Sequence, residues 1–554
     1  LSDDEGEPRP AFLDRATASS PAAAQRRHHH RQKPLALAPS TAAQTLSRSL
    51  LAHEDAAAGA LVGALAGSAL GVAYEPEHHT RLPRMFPDGI RDFWTVDLPE
   101  RPRGRAALEN PIVAAVPGRA ALEYAAMVAC ARSLARCGGR VEGADLLDAL
   151  VDCRRGIAAS TAAGTAASPS SPSAAAAVDA SYVVLPPTPR RFSSPYTDLA
   201  TEAVSTAAAT GAADPRTLAT LAEAAMARGF ARTAPTASDR PHRREFGAHD
   251  FGAATFLGPP LGLAYQDAAL EELAGAVDEA CAATHPAQSG RDGAAIVAAA
   301  VGWLARERRR RRQEGAGGGG DDGDANANGP RALAAHLLES ADALRLGSEA
   351  RDVLSLVAGA LGVVGSAEAE AAAAAAAAAT APRPRHPLGS GGSPLDNIVP
   401  PALDGAPGRW RVFWASPTWA ALSGSAARVA GGSFATTGAR LAGVAVLLFG
   451  AAGFGSADKE HGNAPAQAVS LAVTMGGACS ATASVVGAMA GALHGVGWVP
   501  ARWWGALEDQ LPGDSARATG RAWDGVGKRA AVALGGALGA AAVAGGGGHG
   551  GEEQ

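Results

Sequence analysis

The sequence predicts an all-α protein whose helices are separated by long low-complexity inserts. Three observations predict it. Apolar residues recur at helical spacing through several long blocks, in an alanine background that favours helix. Those blocks are closed by glycine or proline, the usual helix stops. Alternating β-branched residues, the mark of a half-buried strand, are almost absent from the 554 residues.

Residues 1–50 mix Pro, Ser, Arg and the cluster His28-His29-His30 without helical period, and read as a disordered N-terminal segment. A helical domain over 51–510 follows. It opens after Glu54 with an apolar stripe at Leu61, Leu65 and Leu70. A second helix runs from about Ala120 to Cys137 and stops at Gly138-Gly139. Helical pattern returns at about 196–230, 267–285, 292–306 and 331–363, and three apolar helical segments fill 410–508. Ser/Thr/Ala/Pro-rich or Gly-rich stretches at 154–195, 307–330 and 366–409 read as disordered inserts. Within them, Arg308 to Arg312 reads as a solvated linker, because no aromatic residues interleave with it as single-strand binding requires. Removing 308–330 together with 368–405 is therefore expected to leave the thermal midpoint nearly unchanged. Residues 511–554, ending in Gly545 to Gly548, read as a frayed low-complexity tail.

Composition excludes several function classes. Lys+Arg number 49 against 54 Asp+Glu, so the net charge of -5 indicates neither a bulk nucleic-acid binder nor an acidic tail protein. Lys33, Lys459 and Lys528 are the only lysines, and the excess of Arg, Ala, Gly and Pro has the look of a coding bias. Five cysteines (Cys130, Cys137, Cys153, Cys281, Cys479) form no Cys-x-x-Cys pair, which argues for a reducing compartment rather than a disulfide scaffold or zinc ribbon. The longest apolar stretch, Leu441 to Phe454, has the length of a buried core helix rather than of a membrane span. The expected setting is intracellular and soluble, with no membrane and no nucleic acid as partners. The chain begins at Leu1 rather than Met, which leaves organelle targeting open.

Common catalytic motifs fail on inspection. Gly527-Lys528 is followed by Arg529 rather than Ser or Thr, and no strand precedes it, so it is no phosphate loop. Gly-x-Ser-x-Gly and His-Glu-x-x-His do not occur in a supporting context.

Three separated segments carry a coherent pattern instead. The first is Ala58 through Glu75, with Gly59, Gly63, Gly67 and Gly71 at four-residue intervals. The second runs from Phe251 to Trp303 and includes Pro260-Leu261-Gly262-Leu263-Ala264-Tyr265, Thr284-His285-Pro286 and Asp292-Gly293-Ala294. The third contains Ala468-Val469, Gly476-Gly477, Ala490-Gly491-Ala492, Gly495 and Pro500-Ala501-Arg502-Trp503. In order and spacing these resemble the ADP-ribosylglycohydrolase family, whose motifs are G-x-L-x-G-x-A-x-G-D-A-x-G, A-P-L-G-L-x-Y, T-H-P-x5-D-A/G-A and A-V-N-x-G-G-D-x-D-T.

The resemblance implies an all-α bundle with two divalent ions, usually magnesium, that act on the anomeric carbon of ADP-ribose. Such hard cations need oxygen ligands, mostly carboxylates. The family draws them from T-D-D-T, from G-G-D-x-D-T and from an opening glutamate. Here Ala121-Leu122-Glu123-Tyr124 stands in place of T-D-D-T, Ala478-Cys479-Ser480-Ala481 in place of D-x-D-T, and Ser68 in place of the aspartate of G-D-A-x-G. Only Glu75 and Glu123 keep a carboxylate among the ligand positions.

On this reading Glu75 and Glu123 are the candidate catalytic and metal-ligating residues, and Thr284, His285, Gly476 and Gly477 the candidate ligand-binding residues. The bland roles are a helix-dipole partner for Glu123, a solvated loop residue for Glu75 and a turn cap for His285. The expected protein keeps the scaffold and an ADP-ribose-type pocket but has lost its dinuclear metal site. The partner is then ADP-ribose or an ADP-ribosylated protein, with magnesium as cofactor only if the protein is active. The alternatives are an active hydrolase with an altered metal site and a non-catalytic interaction protein. Oligomeric state is unspecified.

Overall fold

The structure, a computed structural model, describes residues 39–71, 74, 82–86, 89–90, 93, 122–150, 255–282, 288–315, 322–363, 409–431, 437–455, 457–458, 462–507 and 527–546. The described helices are α1 (Thr41–Ser49), α2 (Ala52–Gly71), α3 (Leu82–Met85), α4 (Leu122–Arg136), α5 (Gly258–Ala264), α6 (Leu270–Ala282), α7 (Gln288–Gly315), α8 (Asp322–Glu339), α9 (Ser348–Ala360), α10 (Arg409–Trp414), α11 (Pro417–Ala430), α12 (Gly438–Ala452), α13 (Ala464–Thr474), α14 (Cys479–His494), α15 (Ala501–Ala506) and α16 (Lys528–Gly546). A two-residue antiparallel ribbon, β1 (Ala457–Asp458) with β2 (Gly462–Asn463), joins α12 to α13. The fold is all-α, as the apolar periodicity implies.

Two helices form the centre. Every residue of α2 from Asp55 to Gly71 is buried, so the Leu61, Leu65 and Leu70 stripe understates it: the helix is apolar on all sides and covered on all sides. Its glycines face α14 without side chains between them. A β-carbon at Gly63 would lie 2.0 Å from the Gly487 carbonyl oxygen, and one at Gly67 would lie 1.9 Å from that of Ala483. Gly59 meets Gly491 and Gly495 in the same way, and Gly71 meets Ser480. The two helices therefore run antiparallel in backbone contact for four turns.

Other contacts repeat the device. Gly535 and Gly539 of α16 approach the α2 backbone at Ala58 and Glu54, and Gly262 of α5 approaches Ala298 of α7. The reading of 511–554 as a low-complexity tail is thus corrected over 527–546. Its Gly and Ala content, taken for fraying, lets α16 lie flat on α2. Lys528 opens α16, a poor place for a cation, and is held there by the carbonyls of Trp504 (2.7 Å) and Leu507 (3.1 Å) at the end of α15.

The disordered reading of 1–50 is also corrected over 39–50. Ser40 caps α1 through the Ala43 amide, and its own amide bonds the Val499 carbonyl at 2.9 Å. Residues 1–38 lie outside the described residues, as do 154–195 and 196–230. Of the insert at 366–409 only Arg409 is described, and it begins α10.

The largest correction concerns 307–330. Helix α7 runs unbroken to Gly315, and α8 begins at Asp322. The arginine run is neutralised within the fold rather than solvated. Asp55, fully buried in the first turn of α2, accepts from Arg308, from Arg312 at 2.7 Å, from the Ser47 hydroxyl at 2.8 Å and from the Val496 amide at 3.0 Å. Arg309 pairs with Asp267, and Arg310 and Arg311 with Glu307. Deleting 308–330 would strand the Asp55 carboxylate, so the silent deletion expected from composition is overturned.

Two further boundaries differ from the sequence reading. The block 331–363 divides into α8 and α9 around a turn where Arg345 takes a left-handed φ of 54°. The last block holds six helices, α10 to α15, rather than three segments. Helix α4 is as expected, with Gly138 (φ 64°) and Gly139 (φ 87°) closing it in a conformation that L side chains resist. The cysteines Cys130, Cys137, Cys281 and Cys479 are free thiols, and Cys153 lies outside the described residues. Among the described residues no helix is long and apolar enough to cross a membrane.

Three outcomes follow from these contacts. Gly63→Val should destabilise the protein by about 3 kcal/mol or more, since backbone rather than side chain must yield. Gly275→Ala on the open face of α6, where no atom lies within 4 Å, should be neutral or stabilising by up to about 1 kcal/mol. Denaturant titration compares them, and equal effects would refute the backbone contact. Asp55→Ala should cost about 3–5 kcal/mol, because it leaves two partly buried guanidinium groups without their anion. Asp267→Ala, which breaks an exposed pair, should cost less than about 1 kcal/mol.

The third outcome concerns acid stability. Burial pushes the His494 imidazole down to about 3, against the pull of its hydrogen bond to the Gly453 carbonyl, and pushes His336 down to about 4. Between those values and the ordinary 6.5 the unfolded chain binds protons that the folded imidazoles refuse. Stability should therefore fall as pH drops below about 6.5, and His494→Gln should flatten the slope down to about pH 4. Identical slopes in wild type and variant would remove His494 from the account.

Candidate functional site

The backbone contact between α2 and α14 fixes where the site residues meet. It sets Ser68 opposite Ser480, and their hydroxyls hydrogen-bond at 3.2 Å although the residues are 412 positions apart. Both are buried. Cys479 donates its thiol to the carbonyls of Tyr74 (3.6 Å) and Gly477 (3.4 Å). Gly476 and Gly477, both left-handed at φ 71° and 68°, turn the chain from α13 into α14. Ala478 precedes the helix, and no side chain caps its first turn. Ser68, Tyr74, Gly476, Gly477, Ala478, Ser480 and Ala481 thus share one end of the bundle.

Other helices bring their starts to this end. Gly539 of α16 lies against His53 and Glu54, and two residues on, Ala541 lies against Gly139, so α4 finishes where α2 begins. The 15 residues of α4 span about 22 Å, which returns its first turn, with Glu123 and Tyr124, towards the end of α2. Likewise α7 meets the start of α2 through Arg308, and its first turns lie about 24 Å back along its axis. Tyr265 closes α5 and accepts from the Val141 amide at 3.1 Å, just beyond α4. Phe256 and Leu257 are buried at the start of α5.

Several sequence candidates fall elsewhere. Glu75, Thr284 and His285 lie outside the described residues, as does the side chain of Glu123, although its backbone belongs to α4. Asp292 of the T-H-P-x5-D pattern is described and buried. It accepts from Gln288 at 2.6 Å and from the Gly347 amide at 3.2 Å, tying α7 to the turn before α9. Burial pushes its carboxyl above the ordinary value, with those two bonds opposing. Its role there is architectural.

Tyr124 is the residue that motif comparison passed over. It is fully buried, burial raises its phenol well above the usual range, and its hydroxyl has no hydrogen-bond partner among the described residues. The sequence marks it only as an aromatic where the family pattern ends in threonine, and the missing partner is visible in the fold alone.

The donor set can be tested against two magnesium ions. Ser68 and Ser480 offer neutral hydroxyls bonded to each other, Ala478 and Ala481 offer no oxygen, and Cys479 donates as a thiol. Among the described residues no three His, Cys, Asp or Glu side chains gather as a metal group. Hard divalent ions require anionic oxygen ligands. The described residues do not fit the pair of ions.

Comparison with known proteins bears on this arrangement. The ADP-ribosylglycohydrolase family profile matches residues 49–532. A solved structure described as an ADP-ribosylglycohydrolase-related protein complex is 17% identical, covers 88% of this chain and 97% of that one, and has a TM-score of 0.42. No curated protein matches. With the matched span running from just before α2 into α16, the chain belongs to the ADP-ribosylglycohydrolase family.

Proposed function

We propose that the protein keeps the family scaffold and a pocket for ADP-ribose, free or attached to protein, but has lost dinuclear metal hydrolysis. The observation that carries this reading is the Ser68–Ser480 hydrogen bond. It joins two positions at which the family pattern has aspartates. Two carboxylates at that separation repel unless cations lie between them, whereas two hydroxyls satisfy each other directly. The contact needs no ion, and the surrounding Ala478 and Ala481 supply no charge for one. Glu75 and Glu123 remain as the carboxylates among the family's ligand positions. Together they would balance only half the charge of two divalent ions.

The test has two arms. Wild type should release no ADP-ribose from modified protein when magnesium is added. A variant combining Ser68→Asp, Ala478→Asp, Ser480→Asp and Ala481→Thr with Ala121→Thr, Leu122→Asp, Glu123→Asp and Tyr124→Thr should bind divalent ions by calorimetry, since the helices already place the ligands. Magnesium-dependent release by wild type would overturn the reading. A folded variant without metal affinity would show that the motif register is wrong.

A further inference from the structure

Six arginines crowd the second half of α7, and five of them face a carboxylate. Arg308 and Arg312 face Asp55, Arg309 faces Asp267, and Arg310 and Arg311 face Glu307. Arg306 is the exception. Among the described residues it donates only to the Gln266 carbonyl at the end of α5. The carboxylate that acts on it from further off, Asp267, is already held by two nitrogens of Arg309. Burial works against the Arg306 charge. A half-buried cation without an anion is unfavourable unless something else supplies the opposite charge.

A second unmet group lies beside it. Trp303, one turn before Arg306 on the same face of α7, lies over the His336 ring of α8, with centroids 6.3 Å and planes 27° apart. Phe454 meets Trp303 edge-on at 6.4 Å. The His336 Nε2 is buried and has no hydrogen-bond partner among the described residues. Burial, and then the Arg306 guanidinium, keep the ring neutral. An anion beside Arg306 would answer both needs, accepting from the guanidinium and from the imidazole nitrogen. Trp303, Arg306 and His336 are each partly exposed, so solvent reaches the cluster although Nε2 itself is covered. Arg308, two residues on, bonds Asp55 at the start of α2, which sets the cluster roughly 20 Å along α2 from Ser68.

We propose that Trp303, Arg306 and His336 form a second binding site, for a small molecule that carries an oxyanion, phosphate or carboxylate. Arg306 supplies the fixed charge, His336 the second donor and Trp303 a flat apolar flank. The site shares no residue with the ADP-ribose pocket, so each stands or falls alone.

The test is calorimetry on the full chain with inorganic phosphate and, separately, acetate, at constant ionic strength. Wild type is expected to bind phosphate with a Kd of about 1 mM. Arg306→Gln should weaken binding about tenfold or more, and His336→Phe, which keeps the ring stack, at least about threefold. Arg310→Gln removes the same charge from an exposed arginine and should change affinity less than about twofold. Phosphate should raise the thermal midpoint of wild type and of Arg310→Gln more than that of the two site variants. If Arg306→Gln has a collapsed midpoint without phosphate, His336→Phe decides. Phosphate bound more tightly than acetate would indicate a phosphate-bearing ligand, the reverse a carboxylate, and either supports the site. No binding of either ion up to about 20 mM would overturn the proposal. So would wild-type affinity in a folded site variant, or equal weakening in Arg310→Gln, which would mean general charge attraction only.

Discussion

Everything in this fold is arranged around a helix pair with no side chains between its members. Glycine at every fourth position of α2, from Gly59 to Gly71, lets its backbone touch that of α14. Side-chain packing normally keeps helices about 8–10 Å apart and tolerates sliding and rotation. Backbone contact tolerates neither, because each carbonyl sits where a β-carbon would have to go. The pairing of Ser68 with Ser480 is a consequence of that register rather than of any local preference. The same constraint explains how so alanine-rich a chain builds a core with few aromatics. Small residues contribute closeness where large ones would contribute area.

Charge is organised at the opposite end. Asp55 gathers α1, α7 and the turn after α14 onto the first turn of α2 through Ser47, Arg308, Arg312 and Val496. A buried carboxylate facing two guanidinium groups is weak evidence for net stability, but it is strict about position. It pins the start of α2 while the glycine contact pins the rest. The site end is then held by geometry imposed from elsewhere, so the scaffold does not depend on charge at Ser68, Ala478 or Ser480.

Sequence reading reached the fold class, the Ala52–Gly71 and Leu122–Arg136 helices and the family because these depend on local period and on motif order. It failed where low complexity met tertiary contact. Gly535 and Gly539 have the same letters as a flexible tail, and only their fit against Ala58 and Glu54 distinguishes them. Arg308 and Arg312 read as solvated because their anion, Asp55, is some 250 positions away. In the site, Gly476, Gly477, Ser480 and Ser68 were legible through family pattern. Tyr124 was not, since what sets it apart is a missing acceptor, and no sequence records that.

The α2–α14 contact also has a consequence for synthesis. Its two strips are separated by 412 positions at Ser68 and Ser480, so the central helix emerges from the ribosome long before its partner exists. At about 5–20 residues per second, α2 waits roughly 20–80 s with an apolar surface all round and a groove that only α14 fits. Contacts so distant in sequence also make closure slow once the chain is complete. A helix of this composition, left uncovered for that long, is a natural client for a chaperone that shields it until its counterpart arrives.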